Sequence, residues 1–318
     1  MVDWKPSASI KVLQQRSEIL SNIRRFFAQK NVLEVETPLL AHSTATDVHI
    51  QSLSVENSAS TKSETLFLQT SPEFAMKRLL GAGVGPIFQI CKAFRQDESS
   101  KQHNPEFTML EWYQPGYSMM DLIDEVEQLI QSLINCGSIP RLSYRDIFLE
   151  YFDIDPHNIS LEDLKSLTNE RMDINSDDLN KTDYLQLLLG KFIEPKMPDY
   201  CFVFDFPIDQ AALAVIAKDE QGIPVAKRFE LFCKGMELAN GYFELLDPVE
   251  QLKRFEADID KRNERGLPDY APDEKLIAAM ESGIPPCAGV ALGIDRLLML
   301  LSGSDNISDV ISFTTDRA

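Results

Sequence analysis

Two apolar segments flank a polar loop and restrict the possible fold of the chain more than any other stretch. The segments are "PIFQICKAFR" (86–95) and "FTMLEWYQ" (107–114). Their length and composition predict two strands that pair as an antiparallel hairpin around the loop. Glu111 interrupts the second apolar run, and a buried carboxylate needs hydrogen bonds or a cation to offset its desolvation. The hairpin therefore predicts a sheet with a charged site in it.

The loop between the two segments concentrates Arg95, Asp97, Glu98 and His103. One interpretation is a solvated ion-pair cluster at the surface, where such charges contribute little to stability. The other is a site at which one ligand contacts them all. No second histidine stands at metal-ligand spacing from His103, so we interpret it as a phosphate contact or an ordinary loop residue.

Composition limits the class of protein. The chain has 318 residues, 44% hydrophobic and 25% charged, which is typical of a soluble globular protein, and we expect one large domain. The formal net charge of -19 disfavours a non-specific nucleic-acid binder, because clustered cations supply most of that affinity. Lys227-Arg228 is a local basic spot that could still meet a phosphate.

Cysteine spacing and hydropathy indicate the compartment. The five cysteines are scattered and form no C-x-x-C pair, so neither a zinc site nor a disulfide framework is predicted, and a reducing cytoplasm fits. No apolar run reaches the roughly 20 residues of a membrane helix, and the N-terminus lacks the apolar core of a signal peptide. We expect a cytoplasmic protein without membrane association.

Hydrophobic spacing predicts the elements of the first half. Residues 9–29 and 119–134 have helical spacing. "NVLEVETPLL" (31–40) alternates like a strand ended by Pro38. "TLFLQT" (65–70) predicts a strand, and then a helix that Thr70 or Ser71 caps and whose first turn holds Pro72 and Glu73.

Less ordered patterns occupy two other regions. The polar stretch 54–65 predicts a hairpin or loop, and residues 140–200 predict small helices and turns on the surface. After them, "CFVFDFP" (201–207) predicts a strand, and 226–246 predicts a long strand or strand pair.

Glutamates recur every seven residues in "RFELFCKGMELANGYFEL", at Glu230, Glu237 and Glu244. An odd spacing alternates between the two faces of a flat strand. We therefore expect a turn or bulge near Gly235 or Asn240-Gly241 that re-aims some of them. Converging carboxylates need a cation, and Mg²⁺ or an ammonium group would serve.

"GVALGIDRLLML" predicts a strand that breaks at a glycine into a helix. Gly289 and Gly293 would allow a ligand close to the backbone, and the helix start favours a phosphate. The alternative is a packing glycine, with Arg296 paired to its neighbour Asp295.

Together these segments resemble the signature motifs of class II aminoacyl-tRNA synthetases. "FFAQKNVLEVETP" is similar to motif 1 (about 26–38), "FRQDESSKQHNPEF" begins motif 2 (about 94–113), and "GVALGIDRLLML" is similar to motif 3 (about 289–301). The resemblance is closest to lysyl-tRNA synthetases, in "TSPE" (70–73), "HNPEFTMLEWY" and "ELANGYFEL". It implies an α+β fold, a single catalytic domain over 1–318 with a mostly antiparallel sheet flanked by helices.

The resemblance also implies roles for individual residues. Arg95 of motif 2 would contact the ATP α-phosphate and the substrate carboxylate, and Phe107 would stack on adenine with Arg296 on its other face. Motif 2 usually has glutamate two residues after its arginine; here Asp97 precedes Glu98, and either one would reach the nucleotide. The implied ATP-binding residues are Arg95, Gln96, Asp97, Glu98, His103, Asn104, Phe107, Glu237, Leu238, Gly293 and Arg296.

Two further groups follow from the same resemblance. Glu230 and Glu237 match acids that hold Mg²⁺ on the phosphates. Ala291 stands where lysyl-tRNA synthetases usually have glycine. The residues implied in binding a lysine-type substrate are Ser71, Pro72, Glu73, Glu111, Tyr113, Glu244 and Ala291.

Motif 1 lies close to the start of this chain, and we expect no anticodon-binding domain. In that respect the chain resembles the elongation factor P lysyltransferases, truncated paralogues of lysyl-tRNA synthetase. The resemblance implies ATP-dependent activation of (R)-β-lysine or lysine, transfer to a lysine of elongation factor P, no stable tRNA binding, and a homodimer formed through motif 1. Alternatives are a minimal lysyl-tRNA synthetase and a non-catalytic sensor of lysine or ATP.

Overall fold

The computed structural model describes residues 4–57, 64–96, 99–172 and 179–318. Within these ranges, nine strands form one sheet in the order β1-β5-β6-β12-β11-β10-β8-β7, with β9 paired to β10. The β1–β5 and β7–β8 pairs are parallel and the others are antiparallel. A second sheet has the order β2-β4-β3. The strands are β1 Leu33–Glu34, β2 Leu40–Ala41, β3 Ser54–Asn57, β4 Glu64–Leu68, β5 Ile87–Phe94, β6 Glu106–Pro115, β7 Arg141–Ser143, β8 Tyr200–Phe206, β9 Ile216–Lys218, β10 Pro224–Cys233, β11 Met236–Phe243 and β12 Cys287–Gly293.

Helices flank the larger sheet, so the expected α+β class with a mostly antiparallel sheet is confirmed. In the described part of the chain, no helix is long and apolar enough to cross a bilayer. The helices are α1 Ile10–Gln29, α2 Glu73–Gly81, α3 Met119–Leu133, α4 Tyr144–Phe152, α5 Leu161–Asn169, α6 Lys181–Leu188, α7 Pro248–Glu264, α8 Glu274–Gly283 and α9 Ile294–Ser302.

The predicted hairpin is the β5–β6 pair, next to the edge strand β1, with Gln89 opposite Glu111 and Ala93 opposite Phe107. Alternate residues of a strand point to opposite faces. Leu110 and Trp112 therefore join the main core, whereas Glu111 and its same-face neighbours border a cavity. One strand thus supplies both the core and the site.

Helix α1 covers the core face of the hairpin. Ser9 caps its N-terminus by accepting from the amide of Val12. Phe27 stacks on Phe88 at 4.5 Å between ring centroids and meets Trp112 edge-on at 5.3 Å. The helix predicted over 9–29 is confirmed.

Two predictions about the neighbouring elements need correction. The strand predicted in 31–40 contains β1, which is two residues long and ends four residues before Pro38. The predicted alternation does not hold there either, because Leu33 and Glu34 are both exposed. The N-cap of α2 is Pro72, without a side-chain cap; Ser71 Oγ instead accepts from the amide of Glu73 at 3.0 Å.

The glutamates spaced by seven are re-aimed by a turn and a bulge. β10 and β11 are joined at Lys234-Gly235, both with positive φ. Leu231 lies opposite Ala239 but Phe232 lies opposite Glu237, so Leu238 is an extra residue in β11. The bulge places Glu237 on the cavity side together with Glu244. It lies at Leu238, between the two positions predicted from sequence.

Residues 140–200 were predicted to form small helices and turns on the surface, but they also contribute to a buried hydrophobic cluster. Helices α4 to α6 and strand β8 enclose a second hydrophobic cluster that includes Tyr144, Phe148, Tyr184 and Phe206, each exposed by 1% or less. Tyr144 stacks on Phe148 at 4.8 Å. These residues are apolar in the sequence, but their helical spacing is interrupted. The spacing therefore did not predict that they pack against one another.

Candidate functional site

A cavity of about 920 Å³ opens on the face of the sheet formed by β6, β11 and β12. Its volume suits a nucleotide together with a small amino acid. Of the predicted residues that the structure describes, Gln96 and Glu230 lie outside the cavity wall. Those in the wall are Ser71, Pro72, Glu73, Arg95, His103, Asn104, Phe107, Glu111, Tyr113, Glu237, Leu238, Glu244, Ala291, Gly293 and Arg296.

Glu111 is the best-supported carboxylate at one end of the cavity. Ser71 Oγ donates to one of its oxygens at 2.6 Å, and the Tyr113 hydroxyl donates to the other at 3.1 Å. Glu111 is only 2% exposed. Two donors from β6 and the start of α2 thus hold this carboxylate in one orientation.

Two more carboxylates lie at the same end and share one cation. Lys77 Nζ is 2.6 Å from an oxygen of Glu73 and 2.6 Å from an oxygen of Glu244. Glu73 and Lys77 are one turn apart on α2, whereas Glu244 follows β11. We refer to Glu73, Glu111, Glu244 and Lys77 as the carboxylate end.

Burial dominates the electrostatics of this end. It raises the pKa of Glu111 to about 8, with a further contribution from the charge of Glu73. Burial also raises the pKa of Glu244, despite the opposing attraction of Lys77. The pKa of Lys77 is raised because the two carboxylates outweigh the desolvation of its ammonium group. An incoming cation would therefore meet carboxyls that hold protons more firmly than usual.

Gly289 leaves the space that these side chains occupy. It lies opposite Tyr113 and Tyr242 in the sheet. A Cβ atom there would lie 2.3 Å from the Tyr113 ring and 2.5 Å from a carboxylate oxygen of Glu244. The sequence predicted a close approach to the backbone at Gly289, and in the structure the side chains of Tyr113 and Glu244 lie close to it.

Arginines and an aromatic ring form the other end of the cavity. The Arg95 guanidinium, just beyond β5, lies 5.2 Å from the centroid of the Phe107 ring. Arg296 donates to the Glu237 carbonyl at 2.7 Å and to His103 Nε2 at 2.7 Å. Since a guanidinium can only donate, Nε2 of His103 accepts, and its Nδ1 hydrogen points to Ser100 Oγ at 2.8 Å. A flat aromatic surface and two guanidinium groups match a nucleotide with its phosphates.

The remaining motif 2 residues differ in placement. Asn104 is buried and bonds the Glu106 carbonyl and Thr315, which anchors the loop to the C-terminal segment. The backbone of Gln96 donates to Gln51. Asp97 and Glu98 lie outside the described residues.

The acids predicted to hold a metal ion lie on adjacent strands. Arg228 pairs with Glu230, and it also bonds Asn240 and the Gln210 carbonyl. Burial raises the pKa of Glu230, and the charge of Glu237 raises it further. Among the residues that the structure describes, no group of three or more His, Cys, Asp or Glu could hold a metal. Mg²⁺ usually takes one or two carboxylates together with substrate phosphates, and Glu237 is the one of these two acids that borders the cavity.

The pairing considered for motif 3 is wrong. Asp295 pairs with Arg16 of α1 at 2.6 Å and accepts from the Thr108 amide at 2.6 Å. Arg296 is oriented by His103 and Glu237 instead.

Sequence reasoning missed Lys77 and Arg16, which pair with residues of the cavity wall. Lys77 stands four residues after Glu73, a spacing that signals a helical ion pair. The Lys227-Arg228 spot separates in the structure, because Lys227 pairs with Asp205 while Arg228 borders the cavity. No local sequence pattern predicts that Arg16 pairs with a residue of α9.

Comparisons with known proteins show the family of the chain. Residues 1–317 match the profile of the tRNA synthetases class II (D, K and N). The chain is 48% identical to a protein of Pseudoalteromonas translucida, over 99% of this chain and 98% of the relative. It is 48% identical to one of Vibrio cholerae (99% of both chains) and 46% identical to one of Yersinia enterocolitica (99% and 98%). Each of the three is named elongation factor P–(R)-beta-lysine ligase. The chain therefore belongs to the class II tRNA synthetase family (D, K and N).

Proposed function

We propose that this protein is an ATP-dependent ligase that activates (R)-β-lysine, or lysine, and transfers it to the ε-amino group of a lysine on elongation factor P. The observation that carries the proposal is a set of three carboxylates, the buried Glu111 and Glu244 and the half-buried Glu73, within one cavity that also holds the motif 2 and motif 3 arginines. Two ammonium groups of a diamino acid would offset the desolvation of those carboxylates. Full-length relatives named for this reaction support the same substrate.

In the first step, a substrate carboxylate oxygen attacks the α-phosphorus of ATP, and the bond to the departing pyrophosphate breaks. Arg95 would bind the α-phosphate and the carboxylate and stabilise the charge that develops between them. Phe107 and Arg296 would hold the adenine ring between them. Glu237, with Glu230 behind it, would hold Mg²⁺, which supplies charge neutralisation on the phosphates when bound.

In the second step, the acceptor amine attacks the carbonyl carbon of the aminoacyl-adenylate and AMP leaves. Ser71 and Tyr113 would keep Glu111 aimed at a substrate ammonium group throughout, because each donates to one of its oxygens. A carboxylate held in this way needs no reorganisation when the substrate arrives.

Three further properties belong to the proposal. The chain works as one catalytic domain in the cytoplasm, in keeping with five free cysteines. It forms a homodimer through the motif 1 segment, where Leu33 is 52% exposed. It binds no tRNA stably, which the net charge of -19 favours.

The test offers both acceptors to the purified protein. We expect ATP–pyrophosphate exchange that depends on a lysine isomer, followed by one added lysyl group on a single lysine of elongation factor P, detected by mass spectrometry. Efficient charging of tRNA without modification of the factor would favour a minimal lysyl-tRNA synthetase. Binding of lysine or ATP without exchange would favour a sensor.

A further inference from the structure

Lys77 is a buried cation that the proposed reaction does not use directly. Lys77 is 1% exposed, and in the described structure it lies behind the residues that form the cavity wall. Burying an ammonium group costs several kcal/mol unless partners of opposite charge repay it. Both partners of Lys77, Glu73 and Glu244, do border the cavity.

The charges at this end can be counted. Three carboxylates and one lysine give a formal charge of -2 when all four groups are ionised. A diamino acid brings two ammonium groups, one for each unit of that charge. Without Lys77 the same three carboxylates would carry -3, and the substrate would leave one of them without compensation.

Other titratable groups around Lys77 do not alter the count. Three such groups interact with the carboxylate end, and burial raises the pKa of each, which keeps them neutral near pH 7. They are Tyr113 of β6, Tyr242 of β11 and Cys287 of β12.

We propose that Lys77 is a positioning residue, an internal counter-cation that joins Glu73 to Glu244 and sets the charge of the carboxylate end to match a diamino acid. This inference rests on the proposed function for the identity of the substrate. Lys77 influences the reaction only through its contacts with Glu73 and Glu244. Its contribution should therefore show in substrate binding and its linked protons more than in kcat.

The test compares Lys77→Met with the wild type and with Lys92→Met. Lys92 also pairs with a glutamate, Glu106, but that pair is exposed (43% and 48%) and lies outside the cavity wall. Lysine is titrated into each protein by calorimetry in two buffers of different ionisation enthalpy, with a non-hydrolysable ATP analogue present. The difference between buffers gives the number of protons released per lysine bound.

We expect Lys77→Met to release about one proton fewer than the wild type, because two ammonium groups compensate only two of its three carboxylates and the third carboxyl keeps a proton in the complex. The KM for lysine in pyrophosphate exchange should rise roughly tenfold for each pH unit by which the assay exceeds the pKa of that carboxyl, with a smaller change in kcat. Lys92→Met should match the wild type. An unchanged proton count and KM in a folded Lys77→Met protein would overturn the proposal.

A compensated variant covers the case in which Lys77→Met does not fold. Lys77→Met with Glu73→Gln restores the formal charge of -2, so it should fold and release as many protons as the wild type, although its KM rises because Glu73 is lost. A different proton count, or failure of this variant to fold, would overturn the counter-cation role. A wild-type protein that neither binds nor activates either lysine isomer would overturn both proposals.

Discussion

Arg16 of α1 donates to Asp295 of α9 at 2.6 Å, across 279 residues of chain. The acid side chain is 3% exposed and the arginine side chain 17% exposed. The pair joins the first helix to the motif 3 helix beside the end of the cavity that holds Arg95 and Phe107. It also separates Asp295 from its sequence neighbour Arg296, which remains oriented toward the cavity.

The Arg16 pair should therefore be important for stability. Arg16→Met leaves a buried carboxylate with the Thr108 amide as its remaining partner, and we expect a loss of about 3 kcal/mol in the free energy of unfolding. Urea denaturation measures it. Arg24→Met, on the same helix, breaks an exposed pair with Glu34 and should cost less than about 1 kcal/mol. Equal effects for the two variants would contradict a special role for the buried pair.

Arg95 should be required for adenylate formation. Arg95→Ala removes a preorganised positive charge from the reacting phosphate, and we expect pyrophosphate exchange to slow by roughly 100-fold or more. The exposed Lys92→Met variant serves as the control for a general loss of positive charge. Exchange near the wild-type rate in Arg95→Ala would show that another group carries the developing charge.

Stability without substrate should fall as the pH rises from about 4.5 to about 8. The pKa of Glu111 is raised from 4.5 to about 8, so the folded state retains a proton that the unfolded state has released in this window. Each such group lowers the free energy of unfolding by at most about 1.4 kcal/mol per pH unit. Denaturant titrations at several pH values measure the slope.

Saturating lysine should reverse this trend, because the substrate binds the ionised carboxyls. Glu111→Gln should flatten the slope of the ligand-free protein. A slope that Glu111→Gln leaves unchanged would assign the proton uptake to other groups.

Gly289 should tolerate no side chain. Gly289→Ala places a methyl group against the Tyr113 ring and the Glu244 carboxylate, and such overpacking costs about 1–3 kcal/mol. It should also raise the KM for lysine, since both neighbours belong to the cavity wall. Gly137→Ala is the matched control, because a Cβ at Gly137 meets no atom within 4 Å. Wild-type stability in Gly289→Ala would mean that Tyr113 and Glu244 can move aside.

Ala291 should influence the choice between lysine isomers. It lies in the cavity wall on β12, between Glu111 and Asn240 of the adjacent strands. Its methyl group would crowd an α-amino group more than a β-amino group, which sits one carbon further from the carboxylate. We expect Ala291→Gly to improve kcat/KM for α-lysine relative to β-lysine by a factor of roughly 10, the scale of one-methylene discrimination. An unchanged ratio of the two kcat/KM values would indicate that Ala291 only contributes to packing.

Much of the fold and of the site was predictable because the signals are local. The β5–β6 hairpin and α1 follow from hydrophobic spacing within a few turns or strand residues. Motif 3 likewise predicted a strand that breaks at a glycine into a helix, and in the structure that glycine is Gly293. Six charged residues of the cavity wall also came from the quoted motifs, although their individual roles stay predictions; they are Glu73, Arg95, Glu111, Glu237, Glu244 and Arg296.

The sequence by itself determined the element types, the order of the motifs and the chemical groups available to the site. Tertiary structure alone decided which of those groups meet. The pairing of Lys77 with Glu73 is visible as helical spacing, but its pairing with Glu244 depends on how α2 lies against the end of β11. The extra residue Leu238 shifts the register of β11, which decides the face on which Glu237 lies. Such contacts depend on packing and register between distant segments, which spacing along the chain does not specify.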